Sequence, residues 1–227
     1  GYGDSSIYAQ HDDYRLEESV RDLLDLLAHL SDHAEPSDKS FAGQALWLGH
    51  DWGAPVVWSL ASHHPDKCIG VVNLCVPYAT LERGLDVLIS HVDRAVYPID
   101  EFPAGQWEYM RFYEENFAKA TAPMDANPTH FIQAIFRQGS AEGFGQPAST
   151  AMVRKMGGWF GELTEAPAVP IDENVISAEE LQQYASGLTR NGFFGPNSWY
   201  MNHAANAEYG ARNLETGQLD LPVLFLA

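Results

Sequence analysis

The sequence predicts an α/β protein in which a long helical insertion interrupts a mostly parallel sheet. Three observations predict it. Residues 16–75 read helix, strand, helix, strand, the rhythm of a parallel sheet with crossover helices. Residues 78 to about 205 contain no convincing strand. Strand character then returns at Leu221–Ala227. The expected division is a core segment over 1–77, a helical cap over 78–205 and a return to the core over 206–227.

Each element has its own warrant. Leu16, Val20, Leu23, Leu24, Leu27 and Leu30 recur at helical spacing with acids between them, which predicts one buried stripe. Glu17 and Glu18 suit the first turn of that helix. Ser37–Gly43 reads as a polar connection, and Gln44–Leu48 as a short buried strand. Ala54–Ala61 continues as a helix to about Ser62, closed by His64-Pro65-Asp66. Cys68–Cys75 is nearly all apolar, as in a strand covered on both faces. In the insertion, Trp107–Ala120 and Pro128–Phe136 read as helices. Residues 139–176 are rich in Gly, Pro and Ala and have no clear period. Ser177 to Glu180 has capping-box spacing, opening a helix that ends near Asn191-Gly192. Pro196 to about Asn206 reads as a further helix. Three strands are few for such a layer, so further strands are expected beyond both ends of this sequence.

Composition sets broad limits. The chain has 227 residues, 45% of them hydrophobic, which is enough for a sizeable core. Its formal charge is −18, from 31 acidic and 13 basic residues. Nucleic acid and anionic membranes are therefore poor expected partners. There is no 18-residue apolar stretch to cross a membrane as a helix. Cys68 and Cys75 would lie about 23 Å apart in an extended strand, too far for a disulfide. Both read as buried small hydrophobes. No metal-spaced Cys/His cluster, GxGxxG or P-loop occurs, so no metal or organic cofactor is expected. Compartment and oligomeric state stay open, with the cytoplasm favoured over secretion and a homodimer among the alternatives.

The residues that point to chemistry are Gly49-His50-Asp51-Trp52-Gly53. They sit between an apolar strand and a helix, with small residues on either side of Asp51. This is the form of a nucleophile elbow with Asp where Ser usually stands. The turn is sharp, and a Cβ at either glycine is expected to collide with facing backbone. A carboxylate at the apex attacks an electrophilic carbon and leaves an ester for water to cleave. The backbone N–H of Trp52, at the helix N-terminus, is placed to face the oxygen that becomes negative in that second step. Asp also favours ordinary tight turns, but the strand, glycines and helix together favour the nucleophile. His50 is a poor base, because adjacent strand residues point to opposite sides. The remaining histidines lie in helices, helix ends or polar segments, and none follows a late strand.

The elbow resembles that of the epoxide hydrolases and haloalkane dehalogenases of the α/β-hydrolase fold. Three further stretches resemble the epoxide hydrolase branch. Gly1-Tyr2-Gly3-Asp4-Ser5-Ser6 is similar to the loop after that family's fourth strand. Glu108–Glu115 is similar to the cap segment bearing its first lid tyrosine, and Asn191–Asn202 to the one bearing its second. The Gly-x-x-Gly-Pro-x-x-Trp-Tyr-x-Asn pattern in the last is the most specific of these. The resemblance implies an α/β-hydrolase core with a helical cap and an epoxide hydrolase acting on a small-molecule epoxide. It also implies that Asp51 is the nucleophile and that Tyr109 and Tyr200 donate hydrogen bonds to the epoxide oxygen. Tyr113, one turn from Tyr109, is an alternative to it, and both tyrosines also read as cap-interface packing. Trp107, Phe112, Phe193 and Trp199 read as cap core. The HGxP-type loop, the relay acid and the base His of the family are expected outside this chain. A haloalkane dehalogenase shares the elbow, and a non-catalytic hydrolase-fold receptor would need no base, so both stand as alternatives.

Overall fold

The computed structural model of the chain describes residues 2–34, 43–213 and 217–227. Gly1 and most of the polar connection expected over 37–43 lie outside the described residues. The chain divides into two compact units, one of residues 13–88 and 202–227, the other of residues 1–12 and 89–201. These bounds differ from the segments suggested by the sequence. The opening residues join the helical unit, where Arg190 Nη2 and Asn191 Nδ2 donate to the Gly3 carbonyl at 2.6 and 2.8 Å.

The first unit is α/β. It holds α1 (Leu16–Asp32), β1 (Ala45–His50), α2 (Gly53–His63) and β2 (Cys68–Leu74). The chain leaves this unit within α3 (Leu85–Ser90). The strands run parallel, pairing Leu46 with Gly70 and His50 with Leu74. A later strand joins β2 in parallel, with Val71 opposite Val223 and Leu74 opposite Leu226. Helix α2 fills the space between sheet and α1, and Ala54 to Ala61 are all buried. Trp58 anchors it at 1% exposure, donating its indole N–H to the Val76 carbonyl at 2.9 Å. Burying one such side chain contributes roughly 1.5–3 kcal/mol.

The amphipathic stripe of α1 is narrower than its spacing suggests. Leu16, Val20 and Leu27 are buried, but Leu30, inside the last turn of the helix, is 57% exposed. Two further expectations are corrected here. Cys68 is buried but Cys75 is exposed, because it follows the end of β2 and turns out of the strand at φ +67°. Among the described residues the sheet is covered on one face only. Helix α2 packs on the face carrying Gly49 and Asn73, while Leu46 and Leu48, pointing the other way, are 63% and 67% exposed.

The second unit is helical. It contains α4 (Glu108–Ala126), α5 (Pro128–Ile135), α6 (Ser149–Met156), α7 (Ala178–Asn191) and α8 (Phe194–Ser198). No strand occurs among its described residues. Helix α4 outruns the expected end at Ala120, with a kink at Asn116 and Pro123 inside. Helix α7 begins at Ser177 with the capping box read from the sequence. Helix α6 was not legible, being two turns long inside a Gly- and Pro-rich stretch. It is stopped by Gly157, left-handed at φ +81°. Phe112, Tyr113, Met124, Ile132, Val153, Leu188 and Phe193 build the core. At its edge, Arg154 of α6 grips Glu115 of α4 through two bonds of 2.9 and 2.6 Å and reaches the buried Glu108 at 3.5 Å.

The single helix expected over 196–206 is three pieces. Helix α8 ends at Ser198, and Trp199–Met201 is one 3₁₀ turn. Helix α9 (His203–Ala211) then starts afresh in the α/β unit. Asn202, at φ −114° and ψ 17°, interrupts the run. The last strand is β3 (Val223–Leu226). Asn206 of α9 caps α1 by accepting from the Leu16 N–H at 2.9 Å. No helix among the described residues is long and apolar enough to cross a membrane.

Candidate functional site

In the α/β unit the elbow is built by β1 running directly into α2. Asp51 takes φ +49° at the apex, a conformation costly for most L-residues and less so for Asp. Gly49 is buried, and a Cβ there would stand 2.4 Å from Asn73 Oδ1, 2.6 Å from the Gly53 carbonyl oxygen and 2.8 Å from Ala54 Cα. Gly49 therefore lets the helix return close over the strand. Gly53 plays no such part, since a Cβ there meets nothing within 4 Å. This corrects the expectation that both glycines are sterically required. The second small residue faces open space, and only neighbours in space could reveal that.

Asp51 is exposed, and its carboxylate Oδ2 accepts from the Trp52 N–H at 2.6 Å. The Ala54 N–H closes the turn on the Asp51 carbonyl at 2.9 Å. A carboxylate at the start of an eleven-residue helix also meets its positive end. His50, on the strand just before it, is exposed. Beneath the elbow, Asn73 is fully buried and donates Nδ2 to the Ala54 carbonyl at 3.2 Å, tying β2 to the first turn of α2.

Two residues near the elbow were not singled out from the sequence. His203 reads there as part of a polar segment. It is 3% exposed, and its ring lies 6.0 Å from the Trp52 ring. Glu82 follows β2 and is 2% exposed. Its carboxylate accepts from the N–H groups of Ala79 and Thr80 at 2.6 and 3.2 Å, holding Ala79 at φ +63°. Burial pushes the Glu82 carboxyl above its ordinary pKa, against the pull of those amides.

The helical unit brings Tyr109 and Tyr200 together. Tyr109 lies in the first turn of α4, and Tyr200 in the 3₁₀ turn after α8. Their ring centroids are 5.4 Å apart, edge to face at 73°. Both are half-buried. Tyr113 lies one turn on, at 2% exposure, with its ring stacked on Tyr200 at 4.7 Å and 7°. Its hydroxyl accepts from the Trp159 indole N–H at 3.0 Å and donates to Met124 Sδ at 3.8 Å. Burial, first, and then the neighbouring Tyr200 push the Tyr113 phenol far above its ordinary pKa. Tyr113 is thus engaged inside the core, which favours Tyr109 over Tyr113 as the accessible phenol. Phe112 and Phe193 are both buried in the core as expected, whereas Trp107 is only half-buried and lies outside that core cluster. Asp51 and Trp52 belong to one unit and the tyrosines to the other. Among the described residues no group of three or more His, Cys, Asp or Glu gathers to hold a metal.

Comparison with known proteins gives a consistent result. No family model matches the chain. It is 27% identical over 213 residues to bifunctional epoxide hydrolase 2 of Sus scrofa, covering 93% of this chain and 33% of that protein. It is 30% identical over 227 residues to epoxide hydrolase A of Mycobacterium tuberculosis, covering all of this chain and 63% of that one. Among solved structures, epoxide hydrolase A from Mycobacterium thermoresistibile is similar at a TM-score of 0.68 and 27% identity. That match covers 99% of this chain and 62% of the other. An epoxide hydrolase from Vigna radiata is similar at 0.63 and 26%, covering 99% and 61%. The chain thus spans a third to just under two thirds of these relatives.

Proposed function

We propose, from its similarity to epoxide hydrolases of the α/β-hydrolase fold, that the protein carrying this chain converts an epoxide and water to a vicinal diol. In the first step an Asp51 carboxylate oxygen attacks a ring carbon of the epoxide. The carbon–oxygen bond opposite breaks, and its electron pair goes to the epoxide oxygen. Tyr109 and Tyr200 hydrogen-bond that oxygen, and one of them gives it a proton. A phenol with an ordinary pKa of about 10 is a suitable acid for an alkoxide. In the second step water attacks the Asp51 ester carbonyl. The oxygen that becomes negative faces the Trp52 N–H, and collapse releases the diol and restores the carboxylate. The surplus proton of the water then returns to the tyrosinate left by the first step. No residue of this chain is assigned as the base for that water.

The observation that carries the choice of epoxide is the contact between Tyr109 and Tyr200, 5.4 Å apart. Two phenols meeting edge to face suit one oxygen atom that gains charge. A departing halide needs N–H donors and has no use for an acid.

Two assays on the natural full-length protein test this reading. Styrene oxide should yield its diol, and a panel of haloalkanes should release no halide. Tyr109→Phe and Tyr200→Phe should each slow ring opening by roughly 10²-fold, the scale of one general acid. Halide release without diol, or ring opening untouched by both substitutions, would overturn it.

A further inference from the structure

Proposed as acids, Tyr109 and Tyr200 need their hydroxyls held in direction. The described rings around them form one cluster. Tyr113 lies face to face with Tyr200 at 4.7 Å and edge-on to Tyr109 at 6.5 Å. Trp159 lies 5.6 Å from Tyr109 and donates its indole N–H to the Tyr113 hydroxyl at 3.0 Å. The other side of that hydroxyl meets Met124 Sδ, which also takes the Asn197 Nδ2–H at 3.3 Å. Asn197 Nδ2 further reaches Thr121 Oγ1 at 3.0 Å. The Tyr113 ring is therefore fixed at its oxygen by one donor and one acceptor, both uncharged.

We infer that Tyr113 and Trp159 are positioning residues, a brace that fixes the orientation of the proposed acid pair. The inference rests on the acid reading of Tyr109 and Tyr200. Tyr109 and Tyr113 share one face of α4 as an i, i+4 pair. Through Tyr113, Trp159 controls Tyr200 by the ring stack, and it touches Tyr109 directly. Trp159 is delivered to this place by the stop of α6. Gly157 turns left-handed, and the Gly158 N–H returns to the Val153 carbonyl at 2.9 Å. The Gly157-Gly158-Trp159 turn thus ties the geometry of the acid pair to a segment that makes no part of α4 or α8. The Tyr113 hydroxyl is spent on the brace, so this phenol holds its neighbours and does not itself protonate the substrate.

The brace acts on ring opening alone, because the phenols have no part in cleaving the ester. The test separates the two steps by rapid mixing of the full-length protein with styrene oxide, enzyme in excess. Trp159→Phe keeps a ring but loses the N–H. Tyr113→Phe keeps the stack but loses the hydroxyl. Each should slow ester formation by about 10-fold, since small displacements of a reacting group cost up to 10²-fold. Ester hydrolysis should stay within about twofold, as it makes no use of the displaced group. The double variant should be no slower than Tyr113→Phe alone, because both substitutions remove the same Trp159–Tyr113 hydrogen bond. Tyr113→Leu, which removes the stack, should slow ester formation more than either. If it does not fold, the two phenylalanine variants carry the test.

Unchanged ester formation in Trp159→Phe and Tyr113→Phe would overturn the brace. So would equal slowing of both steps, the sign of a packing role. Tyr109→Phe and Tyr200→Phe, run alongside, distinguish the two levels. If they slow ring opening and the brace variants do not, only the brace is wrong. If they too leave it unchanged, the acid reading fails and the brace falls with it.

Discussion

Asp51→Asn should abolish turnover, lowering kcat for an epoxide by at least about 10⁴-fold, as loss of a covalent nucleophile does. Asn is the informative replacement. Asp51 sits at φ +49°, where most side chains are strained and Asn is tolerated. The amide oxygen can still accept from the Trp52 N–H, which now meets the carboxylate at 2.6 Å. The elbow should therefore keep its shape while its apex loses the anion that attacks. Thermal melting should stay within about 2 °C of the natural protein, consistent with a surface change of at most ~0.5 kcal/mol. A steady-state assay with a melting curve checks both parts. Retained activity in a correctly folded variant would remove Asp51 from the mechanism.

Gly49→Ala should damage both stability and activity, and Gly53→Ala should damage neither. The Gly49 Cβ would come within 2.8 Å of Ala54 Cα and closer to the Gly53 carbonyl oxygen, so backbone of α2 must move. Forcing extra volume into such a site costs on the order of 1–3 kcal/mol. For a chain of this size that lowers the melting temperature by roughly 2–12 °C. The displaced turn is the one that carries Asp51 and the Trp52 N–H, so kcat should fall with it. At Gly53 the same methyl group enters open space. Ala is there a better helix former, by about 0.5–1 kcal/mol. Parallel melting and activity measurements on the two variants read the contrast. Equal behaviour would mean that α2 does not approach β1 as closely as described.

That contrast shows what the sequence could carry and what it could not. The elbow was legible because its signals are local: an apolar strand, a short turn with small residues, a helix. The same holds for α7, whose start is written in Ser177 and Glu180. Which of two similar glycines bears the steric load was not legible, because it depends on where Asn73 and Ala54 lie. The interruption at Asn202 leaves no mark in the sequence, because residues 196–206 suit a helix throughout while the chain passes there from one unit to the other. Cys75 reads as part of the strand because its apolar neighbours extend the pattern one residue past the end of β2.

The candidate site divides in the same way. Asp51, Trp52, Tyr109 and Tyr200 were named from motif and resemblance. Trp159 was not, because its partner Tyr113 is 46 residues away and the segment between has no period to follow. His203 reads in the sequence as part of a polar segment, yet it is buried near the Trp52 ring. Such residues become visible only when distant segments meet.

The central claim is that Asp51 forms a covalent ester with the substrate. A single turnover in ¹⁸O-labelled water, with enzyme in excess over styrene oxide, tests it most directly. Water that cleaves an Asp51 ester leaves its oxygen in the carboxylate, and the diol takes an oxygen that began on the aspartate. Mass spectrometry of the peptide carrying Asp51 should therefore find the label there, with the first-turnover diol unlabelled. Label in the diol and none in Asp51 would mean direct attack by water, and would contradict the account.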